Sequence, residues 1–347
     1  MSIRLKATEK LTIITNLATT LGAGIPLLES VESLRESATG NAKKIIVQLL
    51  ADLNEGRTIA DSLARWPAAF DPVTVNLLRA SEGAGNLVPT LKNLSVSIKK
   101  DIEFIDKVTA AAVYPTLVVG LFVGVLILIL TFVIPRIATV FSRLSVALPL
   151  PTRILIIISN FLLAHYIAII VAIGVLVFLM SALFITKKRW LVSILFRLPL
   201  ISRLAVQVDL TRFTRSLSLL LNSGIPITAA LELGEHVVAK QSVARVIATA
   251  RGLVESGKQL SAGFKNNPKI IPPLMVRIIE AGEASGTLEQ TSLDLAQHFD
   301  DEVSKTLKTL TALLEPVMLI VIGIFVGAIM LAIIAPIYGL IGQIHGR

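Results

Sequence analysis

The chain has 347 residues, of which 54% are hydrophobic and only 16% charged, with a formal net charge of +9 and no cysteine. Charge is scarce in two long stretches, which excludes an ordinary soluble enzyme: Thr116 to Thr186 holds no Asp or Glu and only Arg136, Arg143 and Arg153, and residues 317–346 hold no Lys, Arg, Asp or Glu at all. The missing cysteine excludes a disulfide framework and a thiolate metal site, and the near balance of 13 basic to 12 acidic residues over 1–115, and 16 to 12 over 187–316, argues against nucleic-acid binding.

The N-terminal stretch carries Arg4, Lys6 and Lys10, but no apolar run of about 7–15 residues follows it. It is therefore no cleaved signal peptide, and the first domain is expected to stay in the cytoplasm. Leu11, Ile14, Leu17, Ala18 and Leu21 recur at spacings of three and four, which predicts an amphipathic helix. Gly22 and Gly24 end it, because glycine accepts the left-handed conformation of a helix C-terminus. Pro26 suits the first turn of a new helix, where no backbone donor is needed. Gly24-Ile25-Pro26 thus predicts a helix–turn–helix corner. Further on, Glu82-Gly83-Ala84-Gly85-Asn86-Leu87 breaks one helix and restarts another. Glu82 is expected to cap a neighbouring helix N-terminus or lie in solvent, with display to a partner as the other reading.

The first predicted span runs from Thr116 to Ile134, between Pro115 and Pro135. At 1.5 Å per residue such a helix is about 28 Å long, close to the hydrocarbon core of a bilayer. The next apolar stretch, Ile154 to Ile185, is longer. Asn160, His165 and Tyr166 suit its first part to the interface, leaving Ile167–Ile185 as the second span.

Then the chain repeats itself. Leu17, Leu21, Gly24, Ile25, Pro26 and Glu32 align with Leu217, Leu221, Gly224, Ile225, Pro226 and Glu232. After a one-residue slip, Gly56, Glu82, Gly85, Leu87 and Pro115 align with Gly257, Glu283, Gly286, Leu288 and Pro316. The period is far longer than the roughly 20–50 residues of a solenoid unit, so a whole domain is duplicated. The second copy ends in an equivalent span, Val317–Ala335, between Pro316 and Pro336.

The expected fold is all-α: an integral membrane protein with two homologous cytoplasmic helical bundles and three transmembrane helices. The bundles occupy 1–115 and 187–315. The spans occupy 116–135, 154–186 (with its interfacial segment) and 316–336. A short external loop covers 136–153 and an external tail 337–347. Two parallel soluble-then-span copies require one return span between them. The Lys187, Lys188 and Arg189 cluster behind it favours a cytoplasmic N-terminus and an external C-terminus.

Both equivalent spans carry GxxxG, as Gly120/Gly124 and Gly323/Gly327. This spacing sets two glycines on one helix face and lets backbones approach closely, making these four residues candidates for transmembrane packing. No span holds an ionisable residue in its interior, which counts against the alternative of a transporter or channel subunit. No phosphate-binding, hydrolase or zinc-protease motif occurs. His298 lies near Asp300, Asp301 and Glu302, but consecutive acids point around a helix rather than at one ion. No catalytic, cofactor or metal site is expected, so any energy for mechanical work comes from another subunit.

The chain resembles the inner-membrane platform proteins of type II secretion systems and type IV pili (the GspF/PilC family). The resemblance rests on ALPLPTRIL at 147–155, RLPLISRL at 197–204, RFTRSLSLLLNSGIPITAALEL at 212–233, EAGEASGTLEQ at 280–290 and LLEPVMLIVIGIFVGAIMLAIIAPIYGLI at 313–341. It implies a non-enzymatic scaffold in the bacterial inner membrane. Its implied partners are a hexameric cytoplasmic assembly ATPase, pilins or pseudopilins, other inner-membrane assembly subunits, membrane lipid and further copies of itself. The family motifs fall on Gly24, Pro26, Glu82, Gly85, Gly224, Pro226, Glu283 and Gly286, as corner or partner-facing loops. Many members carry a cytoplasmic stretch before the first repeat, whereas here the repeat begins almost at Met1.

Overall fold

A computed structural model describes residues 3–144, 150–166, 168 and 199–345, and every regular element among them is a helix. The first half runs α1 (Ala7–Gly22), α2 (Leu27–Ser37), α3 (Gly40–Asn54), α4 (Ile59–Ala64), α5 (Pro72–Gly83) and α6 (Leu87–Leu128). A π-helical turn, Ile129–Val133, joins α6 to α7 (Ile134–Leu144), and α8 (Leu150–Ala164) follows. The second half repeats the order as α9 (Pro199–Asn222), α10 (Ile227–Val237), α11 (Gln241–Glu255), α12 (Leu260–Lys265), α13 (Pro273–Ser285) and α14 (Leu288–His345). The one-residue slip falls between α10 and α11, where three residues replace the two between α2 and α3. Asp209 on α9 accepts the N–H groups of Ala239 and Lys240 in that longer link, at 2.9 and 2.7 Å.

Met1–Lys107 and Pro199–Thr306 form one compact unit, and Val108–Leu198 with Leu307–Arg347 form another. The duplicated bundles therefore share the first unit rather than standing as separate bodies. Ile14, Leu17, Leu49, Leu78 and Leu91 from one repeat belong to the same buried set as Phe213, Leu217, Ile247, Phe264 and Leu295 from the other. Each fully buried side chain of this size contributes about 1.5–3 kcal/mol. The repeats meet where α5 packs against α9 and α10.

In the second unit the prolines that flank the expected spans end no helix. Pro115 lies inside α6, and Pro316 and Pro336 lie inside the unbroken α14. Such prolines are tolerated where a nearby hydroxyl or a local π adjustment relieves the backbone. Thr116 Oγ1 donates to the carbonyl of Ala112 at 2.8 Å, and the π turn immediately precedes Ile134 and Pro135. Ser159 of α8 donates to the carbonyl of Leu130 inside that turn, and Thr152 donates to Ala332 O of α14 at 2.6 Å. Phe122 and Phe325, matching residues of the two GxxxG segments, meet edge-on at 5.8 Å.

Among the described residues, two runs, Leu87–Val140 and Leu288–Ile334, are long and apolar enough to cross a membrane, and only 11% of the most apolar part of each is buried. The core helix of a soluble protein would be mostly buried. The expected span Ile167–Ile185 lies, apart from residue 168, outside the described residues.

Candidate interaction surfaces

The corners have the same geometry in both repeats. Gly24 and Gly224 adopt φ of +85° and +78°. Ile25 N donates to Thr20 O and Gly24 N to Leu21 O, both at 3.0 Å; Ile225 to Leu220 and Gly224 to Leu221 reproduce these bonds at 3.0 Å. This pair of bonds is the Schellman ending, which satisfies otherwise orphaned carbonyls. Pro26 and Pro226 sit one residue earlier than expected, as the N-cap flanking α2 and α10, with ψ of 149° and 144°. There a proline loses no bond, and its carbonyl still accepts the first helical N–H, from Ser30 and Ala230 at 2.9 Å. The first corner is open: Ile25 is 37% and Leu28 42% exposed. Their counterparts Ile225 and Thr228 are half-buried.

Glu82 and Glu283 are helix caps. The Glu82 carboxylate accepts Ile59 N at 2.7 Å and Ala60 N at 3.0 Å, at the start of α4. Glu283 accepts Leu260 N and Ser261 N at the start of α12, at 2.5 and 3.0 Å. The charge meets the positive end of each helix dipole and satisfies two donors that have no helical partner. Gly85 and Gly286, at φ of +66° and +72°, turn the chain just behind these glutamates.

The joint between the repeats is charged. Arg215 on α9, with its side chain 11% exposed, donates to Asp300 of α14 at 2.6 Å and to Asp101 of α6 at 3.4 Å. Arg212 approaches Asp101 at 4.0 Å. Burial holds the Asp101 carboxyl above its ordinary value despite Arg212 and Arg215. Nearby, Lys10 of α1 bonds Asp71 at 2.8 Å, and Asp71 caps α5 through Thr74 N at 2.9 Å. Desolvation opposes ionisation of Asp71 too, but Lys10 and Thr74 outweigh it and hold the carboxyl below its usual value. A cleft of about 250 Å³ opens here between α5 and α10, with Val73, Arg212, His236 and Val237 in its wall.

Arg215, Asp101 and Asp300 were not singled out by sequence pattern. The available signal was the repeat alignment, in which Arg212 and Arg215 stand where the first copy has Thr12 and Thr15. The acids around His298 diverge, Asp300 to Arg215 and Glu302 to Gln207 at 3.2 Å. Gly120, Gly124, Gly323 and Gly327 are all exposed, and a Cβ added at any of them would meet nothing within 4 Å. The GxxxG faces therefore have no partner helix within the described chain.

A family profile described as type II secretion system protein F matches residues 13–135 and again residues 213–336, once for each repeat. Among individual proteins, the type IV pilus assembly protein PilC of Thermus thermophilus is 30% identical over 331 residues, covering 94% of this chain and 81% of its own. The type 4 fimbrial assembly protein PilC of Pseudomonas putida is 32% identical, covering 93% of this chain and 82% of its own. The type II secretion system protein F of Pseudomonas aeruginosa is 29% identical, covering 97% of this chain and 84% of its own.

Proposed function

The chain belongs to the type II secretion system protein F family, and from that premise we propose that it is the non-enzymatic inner-membrane platform of a type IV pilus or type II secretion machine. It couples a cytoplasmic assembly ATPase to the extraction of pilins or pseudopilins and to growth of the fibre. The helical unit that carries both repeats lies in the cytoplasm. Three spans, the middle one within residues 154–186, hold the N-terminus inside and the C-terminus outside. The platform works as a homo-oligomer, with the Gly120/Gly124 and Gly323/Gly327 faces packing against neighbouring helices in the lipid. The corners at Gly24–Pro26 and Gly224–Pro226 and the loops at Glu82–Gly85 and Glu283–Gly286 are its candidate partner-facing edges, the open first corner foremost.

The observation that carries this reading is the continuity of α6 and α14. Each is a helix without a break between its packed, polar end and its apolar end. One helix of each repeat thus holds both packed polar residues and an apolar run long enough to cross a membrane, as a protein that meets both a cytoplasmic ATPase and a membrane-embedded subunit must. No nucleotide-binding motif lies in the sequence, so the motion has to come from a partner.

Deletion of the gene tests the proposal. A strain without it, and without a second copy, should lose its pili or its secreted substrates. Affinity purification of the full chain from detergent-solubilised membranes should also recover an assembly ATPase. Normal fibres, normal secretion and no ATPase in the purified fraction would contradict it.

A further inference from the structure

Duplicated domains that pack on each other can do so in two ways. If both use the same patch, the joint is closed and nothing is left over. If one uses a patch and the other a different patch, each domain keeps an unused surface, and such head-to-tail contacts can be continued by further copies. The joint here is of the second kind. Repeat 1 contributes α5, with Asp101 of α6 reaching Arg215, and repeat 2 contributes α9 and α10, while α6 and α14 touch where Lys107 donates to Ser304 at 3.2 Å.

The unused partners of this joint are α13 in repeat 2 and α1–α2 in repeat 1. Their exposure bears this out position by position. On α5, Val73 and Leu77 are 7% and 1% exposed. Their equivalents on α13, Leu274 and Ile278, are 45% exposed and half-buried. On the other side, Arg212 and Val237 are half-buried beside Val73 in the cleft wall, while their equivalents Thr12 and Ser37 are exposed. The apolar edge that α5 buries in repeat 1 is more exposed on α13 in repeat 2.

Charge says what covers it. At the covered joint the corresponding positions are Asn76 on α5 and His236 on α10. At the two bare surfaces they are Arg277 on α13 and Glu36 on α2, both exposed. Where α5 and α10 carry an amide and an imidazole, the equivalent positions of the two open surfaces carry opposite charges. Complementary charge at matching positions specifies register and partner. We infer that the α13 face of one molecule, centred on Leu274 and Arg277, docks on the α1–α2 face of a second copy, at Thr12, Glu36 and Ser37, repeating head to tail the joint made within each chain.

The inference names the self-contact of the proposed platform but stands on the repeat geometry, and its test is scored whether or not fibres or secretion depend on the gene. The chain has no cysteine to remove. Full-length chains carrying Leu274→Cys are co-expressed with differently tagged chains carrying Ser37→Cys, and membranes are treated with a short bismaleimide. A covalent dimer of the two tagged chains is expected. Pairing Leu274→Cys with Val47→Cys, on an exposed site of α3, should give none. Arg277→Glu in the first chain should reduce the dimer several-fold, and Glu36→Arg in the second should restore it. A dimer of two Leu274→Cys chains, capture of a different protein by Leu274→Cys, equal yield from the Val47→Cys control, or no dimer at all would each overturn the head-to-tail contact.

Discussion

Glu82 and Glu283 read in the sequence as helix caps or solvated acids, and each carboxylate holds two backbone donors of a six-residue helix that has little stability of its own. Glu82→Ala or Glu283→Ala should therefore lower stability by about 1 kcal/mol, the ordinary cost of a lost helix cap. Glutamine, which still offers an acceptor, should cost less. Thermal unfolding of the full chain in detergent measures both. Asp101 gives a second prediction, with a sign. Its carboxyl is raised in the fold by burial, so the folded state binds its proton more tightly than the unfolded state does. That contribution makes stability fall as pH rises from the ordinary aspartate value of about 4 through the raised value. Asp209, also raised by burial despite its backbone bonds, acts in the same direction. Asp71 is lowered and acts only below the ordinary value. Asp101→Asn should thus flatten the decline in melting temperature between about pH 4 and neutrality, leaving the part due to Asp209. A slope as steep as that of the unmodified chain would refute this assignment. Arg215→Met should cost about 1–3 kcal/mol, below the usual figure for a broken buried pair because both of its acids are partly exposed.

At the scale of elements, local signals were legible where a single residue type dictates the backbone. The left-handed glycines at 24, 85, 224 and 286 marked the helix ends, and the matching pairs revealed the repeat. Pro115, Pro135, Pro316 and Pro336 flank the expected spans, yet none of them ends its helix. In an apolar helix the continuing bonds on either side carry the helix through, and at Pro135 a π turn lies just before it. The joint of α5 with α9 and α10 was not legible, since Arg212 and Arg215 are ordinary helix residues until their distant acids are placed beside them. The GxxxG faces were legible as a pattern, and no described residue covers them. That openness makes their test clean. Gly124→Leu and Gly327→Leu add a side chain where nothing lies within 4 Å, and leucine is the better helix former by about 0.8–1 kcal/mol. The single chain should be no less stable, while close backbone approach between helices is lost. A smaller oligomer mass in detergent with an unchanged melting temperature is the expected pair of results. An unchanged mass for both variants would remove the glycines from assembly.

The whole molecule is a duplication whose copies are no longer equivalent. One buried set of side chains runs through both bundles, so repeat 1 and repeat 2 should respond together when their joint is cut. Val73→Asp places a second carboxylate beside Asp71, in the cleft wall where the repeats meet, and burial of an unpaired charge destabilises strongly. Leu274→Asp makes the same change at the equivalent, exposed position of the other copy. Hydrogen exchange separates the two. Val73→Asp should accelerate amide exchange in α9 and α10, 126 to 164 residues away in sequence, with a loss of about 2–4 kcal/mol. Leu274→Asp should leave exchange in α1 and α2 of its own chain unchanged, because α13 does not cover them within the molecule. In assembled membranes, where the head-to-tail contact puts α13 of one copy on α1–α2 of the next, the same substitution should expose those helices. Equal effects of the two substitutions in the dissociated chain would mean that the repeats still pack symmetrically, and that the molecule has no open face left for a neighbour.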